Sequence, residues 1–389
     1  MPTPPLMTMI ADLIGTPSMS SVSPAFDIGN GPVIEKLASW LKDAGFGVEI
    51  LPIQGYPGKF NLIAVLGRGE GGLVLSGHTD TVPYDENRWS QDPFRLTERD
   101  QRLYGLGTAD MKSFFALAIE AARGLRHADL KRPLTILATA DEESSMCGAQ
   151  ALLDQGRRLG DYAVIGEPTG MKPIRMHKGI FMDAIRLTGR AGHSSDPALG
   201  NSALEGMHKV LGELLAWRSE LQAKHRNPAF AVPVPTLNLG HIHGGDNPNR
   251  ICGQCELHID LRPLPGMDQG ELRAQVRNRL ETGLAGSGLQ LEILPLFEGI
   301  PAMETAAQSA IVRAAEQLTG SEAQAVAFGT EAPYLNALGV ETLVMGPGHI
   351  DQAHQPDEYI ALDQLHPGVD LLRSLIQRFC MESAPSEDA

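Results

Sequence analysis

The strongest constraint on the fold is the alternation of short, continuously apolar runs with helical stretches. The apolar runs cover residues 62–66, 73–75, 134–138 and 163–165, and the helical stretches cover 33–45 and 113–125. Continuous apolar runs indicate strands buried on both faces, as in sheets whose parallel strands are connected by helices. The sequence therefore predicts an α/β domain with a mostly parallel mixed sheet.

A second pattern interrupts the first after Lys178. Strand-like, helical, strand-like, strand-like, helical and strand-like segments follow one another, and the order is that of a ferredoxin-like α+β domain. We expect its first helix to bury a stripe formed by Leu204, Met207, Leu211 and Leu215. The alternation of apolar runs and helical stretches then returns. We therefore predict one discontinuous domain of residues 1–178 and 292–389, interrupted by a smaller domain of residues 179–291. We expect the polar tail ESAPSEDA to be disordered.

Polar side chains that can bind metals follow the apolar runs. They are His78 and Asp80 after the second run, Glu142 and Glu143 after the third, Glu167 after the fourth, and His354 after a later run at residues 342–345. Asp110 lies just ahead of a predicted helix. Ligands of open α/β sheets bind beyond the carboxyl ends of the strands. We therefore expect these side chains to meet although they are far apart in the sequence.

Each of these residues alone has an ordinary interpretation. Asp110 could cap a helix, His354 could be a surface histidine, and Glu142 with Glu143 could be a solvated pair. Together they would form a strongly self-repelling cluster, because buried carboxylates must pair, protonate or bind a cation. Two histidines with three carboxylates suit zinc, cobalt or manganese better than calcium. Five ligands fit two ions that share a carboxylate.

The charge and the cysteine count narrow the class of protein. The chain has 47 acidic and 32 basic residues and a formal net charge of -15, which disfavours nucleic acid and anionic membranes as partners. No apolar run approaches the roughly 20 residues of a membrane span, and the first residues lack the basic start of a signal peptide. Four cysteines are too few for a disulfide scaffold. We expect a cytoplasmic protein.

Eight motifs then carry a family resemblance. They are GHTDTVP, YGLGTADMKS, TADEE, GEPT, AGHSS, HGGDNPNRI, DLRP and AHQPDEY. In this order, from about residue 60 to residue 360, they resemble the dinuclear zinc amidohydrolases and exopeptidases. The strings LYGLGTADMK, LNLGHIHGGD and ELHIDLRPLPGM are most similar to members that act on N2-acetyl-L-ornithine. The resemblance implies a zinc-exopeptidase-like catalytic domain interrupted by a lid and dimerisation domain.

The resemblance also implies a ligand scheme. His78, Asp110 and Glu167 would hold one Zn²⁺, and Asp110, Glu143 and His354 would hold the other, with Co²⁺ as a possible substitute. Asp110 would bridge the two ions, and the peptide bond that follows it would be cis.

Two further residues receive catalytic roles from the resemblance. Asp80 would hydrogen-bond the free ring nitrogen of His78, and Glu142 would be the general base. Substitution of Asp80 or Glu142 is accordingly the direct test of each role.

Residues of the inserted domain would complete the site. His193 resembles a histidine that polarises the scissile carbonyl, while Asn249 and Arg262 resemble residues that meet the substrate carboxylate. For His193 the alternative is a surface histidine in a polar turn, and for Arg262 a structural ion pair. We expect a homodimer that forms through this domain.

The expected reaction is hydrolysis of a small N-acyl amino acid, with acetylornithine as the first candidate. A desuccinylase, an acylcitrulline deacetylase or a dipeptidase would share the ligand set, and a non-catalytic binding protein is the alternative from another class. Glu331 stands where many relatives have aspartate, which bears on recognition of a substrate amine.

Overall fold

The structure is a computed structural model that describes residues 3–382. Most of the tail ESAPSEDA, for which we predicted disorder, lies outside the described residues. Within residues 3–382 the α-helices are α1 Leu6–Ile14, α2 Gly31–Asp43, α3 Lys112–Ala121, α4 Cys147–Gln155, α5 Ala203–Lys224, α6 Gln269–Gly283, α7 Ala310–Thr319, α8 Ala332–Ala337 and α9 Leu365–Ile376.

The strands of the same region fall into three sheets. They are β1 Gly47–Pro52, β2 Phe60–Leu66, β3 Leu73–His78, β4 Thr97–Arg99, β5 Arg102–Tyr104, β6 Leu134–Thr139, β7 Tyr162–Pro168, β8 Ile174–His177, β9 Ile180–Thr188, β10 Thr236–Gly244, β11 Gln254–Arg262, β12 Gln290–Ile300, β13 Met303–Glu304, β14 Gln324–Val326, β15 Glu341–Gly346 and β16 Tyr359–Ala361. No helix within residues 3–382 is both long enough and apolar enough to cross a membrane.

The chain folds as two compact units. The main unit consists of Met1–Arg175, Thr305–Gln324 and Thr330–Ala389, and the inserted unit consists of Met176–Glu304 and Ala325–Gly329. The predicted end of the insertion at residue 291 is wrong, because β12 continues to Ile300 as an edge strand of the inserted sheet. The apolar pattern of β12 is compatible with a strand of either unit, so the sequence alone does not locate the end of the insertion.

The large sheet of the main unit is mixed, as predicted. Six of its strands run in the order β1-β2-β6-β3-β7-β15, where β3 is parallel to β6 and β7, and β15 is parallel to β7. Strands β1 and β2 pair antiparallel, and β2 is antiparallel to β6. Every residue of β3 and β6 is buried, which explains their continuously apolar sequences.

A small three-stranded sheet also belongs to the main unit. Its order is β16-β5-β4, and Tyr359 of β16 lies opposite Tyr104 of β5. This pairing brings a late segment of the chain beside the segment that leads to Asp110.

The inserted unit has the predicted ferredoxin-like arrangement. Its antiparallel sheet has the order β10-β11-β9-β12, and β11 alternates between buried and partly exposed residues because one face packs on the core of the unit. The helix stripe was partly wrong: Met207 is buried, whereas Leu204 and Leu215 are 49% and 39% exposed. The buried face of α5 instead continues through Val210, Leu214, Trp217 and Leu221.

Candidate metal centre

The predicted ligands lie at the carboxyl ends of the central strands. His78 is the last residue of β3, Glu167 is near the end of β7, and Glu142 and Glu143 follow β6 closely. Because β3, β6 and β7 are parallel, these ends meet at one edge of the sheet. The positional argument from the sequence therefore gave the correct location.

Asp110 lies between the two histidines. Its Oδ1 is 3.1 Å from Nε2 of His78, and its Oδ2 is 3.5 Å from Nε2 of His354. Each oxygen of one carboxylate thus faces a different imidazole. This is the arrangement that a carboxylate needs to bridge two cations.

The remaining two ligands flank these contacts. Glu167 Oε1 lies 3.6 Å from His78 Nε2, and Glu143 Oε2 lies 3.0 Å from His354 Nε2. Ligand atoms of His78, Asp110 and Glu143 lie within 4.8 Å of one another, as do those of His78, Glu142 and Glu167. The structure therefore brings all five predicted ligands together, with Glu142 beside them.

The segment around Asp110 packs tightly against β3. The peptide bond between Asp110 and Met111 is cis, as the resemblance implied. Met111 occupies the space beside Gly77, where a Cβ atom would come within 2.2 Å of the Met111 Cε. Glycine before His78 therefore permits the close approach of these two segments.

Burial and mutual repulsion dominate the electrostatics of this cluster. Burial and the Glu167 carboxylate raise the pKa of Glu142 well above its usual value. Burial and the Asp110 carboxylate do the same for the pKa of Glu167. Burial opposes protonation of His78, but the surrounding carboxylates, with Glu167 foremost, raise its pKa well above the usual value. Such a group of acids must either take up protons or gain compensating positive charge.

The donor set fits divalent cations. Glu167 Oε1 is buried and has no hydrogen-bond partner. An oxygen that can bind a metal is therefore left unsatisfied beside His78. Two imidazoles and three carboxylates are typical of zinc, and two ions that share one carboxylate would use all five side chains.

The position of Asp80 differs from the prediction. The Nδ1 atom of His78 lies 3.0 Å from the main-chain oxygen of Asp80 and 3.7 Å from its carboxylate. Since a carbonyl oxygen only accepts, Nδ1 donates its proton there, and Nε2 is the ring nitrogen that faces Asp110 and would bind a metal. The Asp80 carboxylate instead accepts the backbone N–H groups of Glu142 and Glu143, at 3.3 and 3.1 Å. The Asp80 side chain therefore positions the backbone of the two glutamates.

Replacing Asp80 with alanine is expected to lower kcat by about 10–100-fold, the usual effect of removing a residue that orients the ligands. The N–H groups of Glu142 and Glu143 would lose their acceptor. Asp80→Asn should retain more activity than Asp80→Ala, because its amide oxygen still accepts one N–H. Steady-state kinetics together with a zinc titration would check this. Equal kcat in Asp80→Ala and the unsubstituted enzyme would contradict the assignment.

Sequence reasoning missed several buried residues around the centre. Lys59 pairs with Asp27 at 2.7 Å and with Asp141 at 2.5 Å, which anchors the turn that begins at Asp141. Glu358 accepts backbone N–H groups from the segment that leads to Asp110. The string PDEY gave a signal for Glu358, but nothing local in the sequence indicates what Lys59 contacts.

Glu331 is buried beneath the centre. Its Oε2 lies 2.9 Å from the hydroxyl of Thr139, and its Oε1 has no partner. Burial raises the pKa of Glu331 to about 7. The residue is only 2% exposed, so direct contact between Glu331 and a substrate amine would require the surrounding side chains to move.

The three residues predicted to meet the substrate belong to the inserted unit. His193 is exposed, and its Nδ1 accepts hydrogen bonds from the hydroxyl and the N–H of Ser195 at 2.7 and 3.2 Å. Asn249 is exposed. Arg262 makes a two-pronged ion pair with Asp260 at 2.8 and 3.0 Å. The alternative interpretation of Arg262 as an ion-pair residue therefore describes its contacts within this unit.

The sequence profile of peptidase family M20/M25/M40 matches residues 74–378. This span includes all five predicted ligands and the inserted unit. The chain belongs to this family. Its members include curated relatives that match almost the full chain. Acetylornithine deacetylase of Vibrio campbellii is 49% identical over 377 residues, covering 97% of this chain and 99% of the relative. Acetylornithine deacetylase of Edwardsiella ictaluri is 51% identical, covering 97% and 98%.

Solved structures share the family fold at much lower identity. Aminopeptidase PepT from Bacillus cereus has a TM-score of 0.75 at 20% identity, covering 96% of this chain and 98% of that chain. Bacillus subtilis YXEP, a dinuclear metal-binding peptidase of the M20 family, has a TM-score of 0.66 at 18% identity, covering 95% and 96%. This M20 chain therefore shares its fold with solved peptidase structures.

Proposed function

We propose that this M20 chain hydrolyses N2-acetyl-L-ornithine to L-ornithine and acetate, a step of arginine biosynthesis. The observation that carries the proposal is the identity of 49–51% across nearly the whole chain to relatives named acetylornithine deacetylase. The ligand cluster supports it independently, because its donor set suits metal-assisted hydrolysis.

We propose that the centre holds two Zn²⁺ ions, with Co²⁺ as a possible substitute. His78, Asp110 and Glu167 would hold one ion, and Asp110, Glu143 and His354 the other. When bound, such ions lower the pKa of water and polarise a carbonyl oxygen. The contacts of both Asp110 oxygens with the two histidines support the bridging role.

Glu142 is the proposed general base. Burial and the Glu167 carboxylate raise its pKa above the usual value, which favours a group that takes up a proton and returns it. It would accept a proton from the attacking water while the water oxygen bonds to the acetyl carbon. When the carbon–nitrogen bond breaks, Glu142 would return the proton to the α-amino nitrogen. Asp80 would hold the backbone of Glu142 in place for both transfers.

The family resemblance, rather than any contact in the structure, assigns the substrate residues. His193 would donate a hydrogen bond to the developing oxyanion, an interaction that strengthens in the transition state. Asn249 and Arg262 would meet the substrate carboxylate. Arg262 could do so while it keeps its ion pair with Asp260, since a guanidinium has five N–H donors.

A homodimer and a cytoplasmic location are part of the same proposal. Leu204 and Leu215 on α5 and Ile242 on the edge strand β10 are 49%, 39% and 49% exposed. In a homodimer, these exposed apolar side chains of the inserted unit would be buried against a second copy of the chain. The four cysteines are free and buried, which suits a reducing compartment.

Acetylornithine is expected to be the best substrate in a panel with acetylcitrulline, acetylmethionine and succinyl-diaminopimelate. The panel would be measured as kcat/KM with the zinc-loaded enzyme and again after chelation. If acetylornithine is among the poorest substrates, the substrate assignment is wrong although the metal centre can stand. If chelation leaves hydrolysis intact, the metal mechanism itself is wrong.

A further inference from the structure

Glu358 is a buried acid in the segment that also carries His354. It is 1% exposed and directly precedes β16. Neither the ligand scheme nor the proposed proton transfers use it. A buried carboxylate is costly unless its environment compensates it, so its contacts require an explanation.

All the side-chain hydrogen bonds of Glu358 go to one segment. Oε1 accepts the N–H groups of Ala109 and Asp110 at 2.7 and 3.0 Å, and Oε2 accepts that of Gly107 at 3.2 Å. The main-chain oxygen of Glu358 accepts the N–H of Gly105 at 3.0 Å. Four donors of residues 105–110 therefore converge on a single residue.

The other two N–H groups of this buried segment have acceptors elsewhere: that of Leu106 binds the carbonyl of Pro93, and that of Thr108 binds the carbonyl of Gly105. Without Glu358, the remaining four N–H groups would be buried without acceptors, which is costly. Gly107 has a φ of +86°, and a Cβ there would lie 2.6 Å from Cε of Lys112. The positive φ favours glycine at this position, and Glu358 supplies the acceptors for the four remaining N–H groups of the segment.

The segment ends at Asp110, whose two oxygens must face different histidines. Because the Asp110 N–H binds Glu358, a shift of Glu358 moves the backbone of Asp110 directly. His354 lies four residues before Glu358 in the chain. The same short stretch thus supplies His354 and fixes the residue between His354 and His78.

We propose that Glu358 is a positioning residue that holds Asp110 in the geometry needed to bridge two cations. This inference rests on the proposed ligand role of Asp110, but not on the identity of the substrate. The alternative is that Glu358 only stabilises the fold, in which case its loss would lower stability without a specific effect on metal binding.

Zinc affinity, measured by competition with a chromophoric chelator, tests the proposal without any substrate. In Glu358→Gln an NH₂ group must replace one acceptor oxygen, so at least one of the three N–H groups faces a donor. We expect zinc affinity to fall by about 10–100-fold, and excess zinc should restore most of the lost kcat. Exposed Glu322 offers a matched control, since Glu322→Gln makes the same chemical change and should leave zinc affinity unchanged.

Hydrogen exchange provides the second measurement. In Glu358→Gln, peptides that cover residues 105–111 should exchange faster, while peptides of α5 keep their protection. Zinc affinity equal to that of the Glu322→Gln control would overturn the proposal. If Glu358→Gln does not fold, the unsubstituted enzyme still decides: the amides of Gly107, Ala109 and Asp110 must be protected, and free exchange there would overturn it. If Glu358→Gln lowers zinc affinity but the unsubstituted enzyme does not hydrolyse acetylornithine, only the proposed substrate is refuted.

Discussion

Replacing Glu142 with glutamine is expected to lower kcat by about a hundred- to ten-thousand-fold while the metal stays bound. The amide cannot accept a proton from water, and general base catalysis typically contributes this much. Glu142 is not one of the five proposed ligands, and Asp80 holds its backbone N–H. The substitution should therefore remove proton transfer and leave the ligand geometry intact.

The adjacent residue provides the contrast for this experiment. Glu143 contacts His354 and is a proposed ligand, so Glu143→Gln should lose metal as well as activity. Metal content by atomic emission and kcat with saturating zinc would be measured for both variants. A Glu142→Gln enzyme with near-normal kcat would remove Glu142 as the base, and one that loses zinc as Glu143→Gln does would make Glu142 a ligand.

Removing the metal is expected to abolish hydrolysis and to make stability depend strongly on pH. Activity should fall to the uncatalysed background after chelation and return when zinc or cobalt is added. Without cations, the buried carboxyls face one another. Burial and neighbouring carboxylates raise the pKa values of Glu142, Glu143 and Glu167, and burial raises the pKa of Glu331 to about 7.

The direction of the pH effect follows from these raised pKa values. A carboxyl whose pKa is higher in the folded state binds more protons there than in the unfolded chain, so stability falls as pH rises. The loss begins near the unfolded pKa of about 4.3 and continues through the folded pKa. For Glu331 the full effect is on the order of 3 kcal/mol.

Urea unfolding of the chelated chain at pH 5 and pH 8 would measure this dependence. The free energy of unfolding should be lower at pH 8, and bound zinc should reduce the difference. Glu331→Gln should have a shallower pH dependence than the unsubstituted chain, because an amide does not titrate. A chelated chain whose stability is constant or rises over this range would contradict the electrostatic description of the centre.

The sequence was most informative where one physical rule acts over a short stretch. Apolar runs predicted the buried strands, and polar residues such as His78 and Glu167, which follow these runs, mark the carboxyl ends of the strands. The eight motifs carry the resemblance that predicts which residues of distant segments share an ion. These features can be recognised in a linear sequence because burial and metal binding each restrict the residue types allowed at a position.

The sequence was least informative about backbone contacts. An aspartate two residues after a histidine is equally compatible with a side-chain or a main-chain bond, and the structure has the latter for Asp80. Leu204 and Leu215 fit a helical stripe as well as the residues that are buried. Glu358 receives its importance from N–H groups about 250 positions earlier in the chain, and backbone donors leave no trace in residue identity.

The discontinuity of the main unit has a consequence for synthesis on the ribosome. His78, Asp110, Glu143 and Glu167 all precede the inserted unit, whereas His354 and Glu358 follow it. A nascent chain that has completed the inserted unit still lacks both the last proposed ligand and the acceptors for the turn before Asp110. The proposed centre would therefore be completed only near the end of translation, and chains truncated before His354 should be unable to retain the proposed second cation.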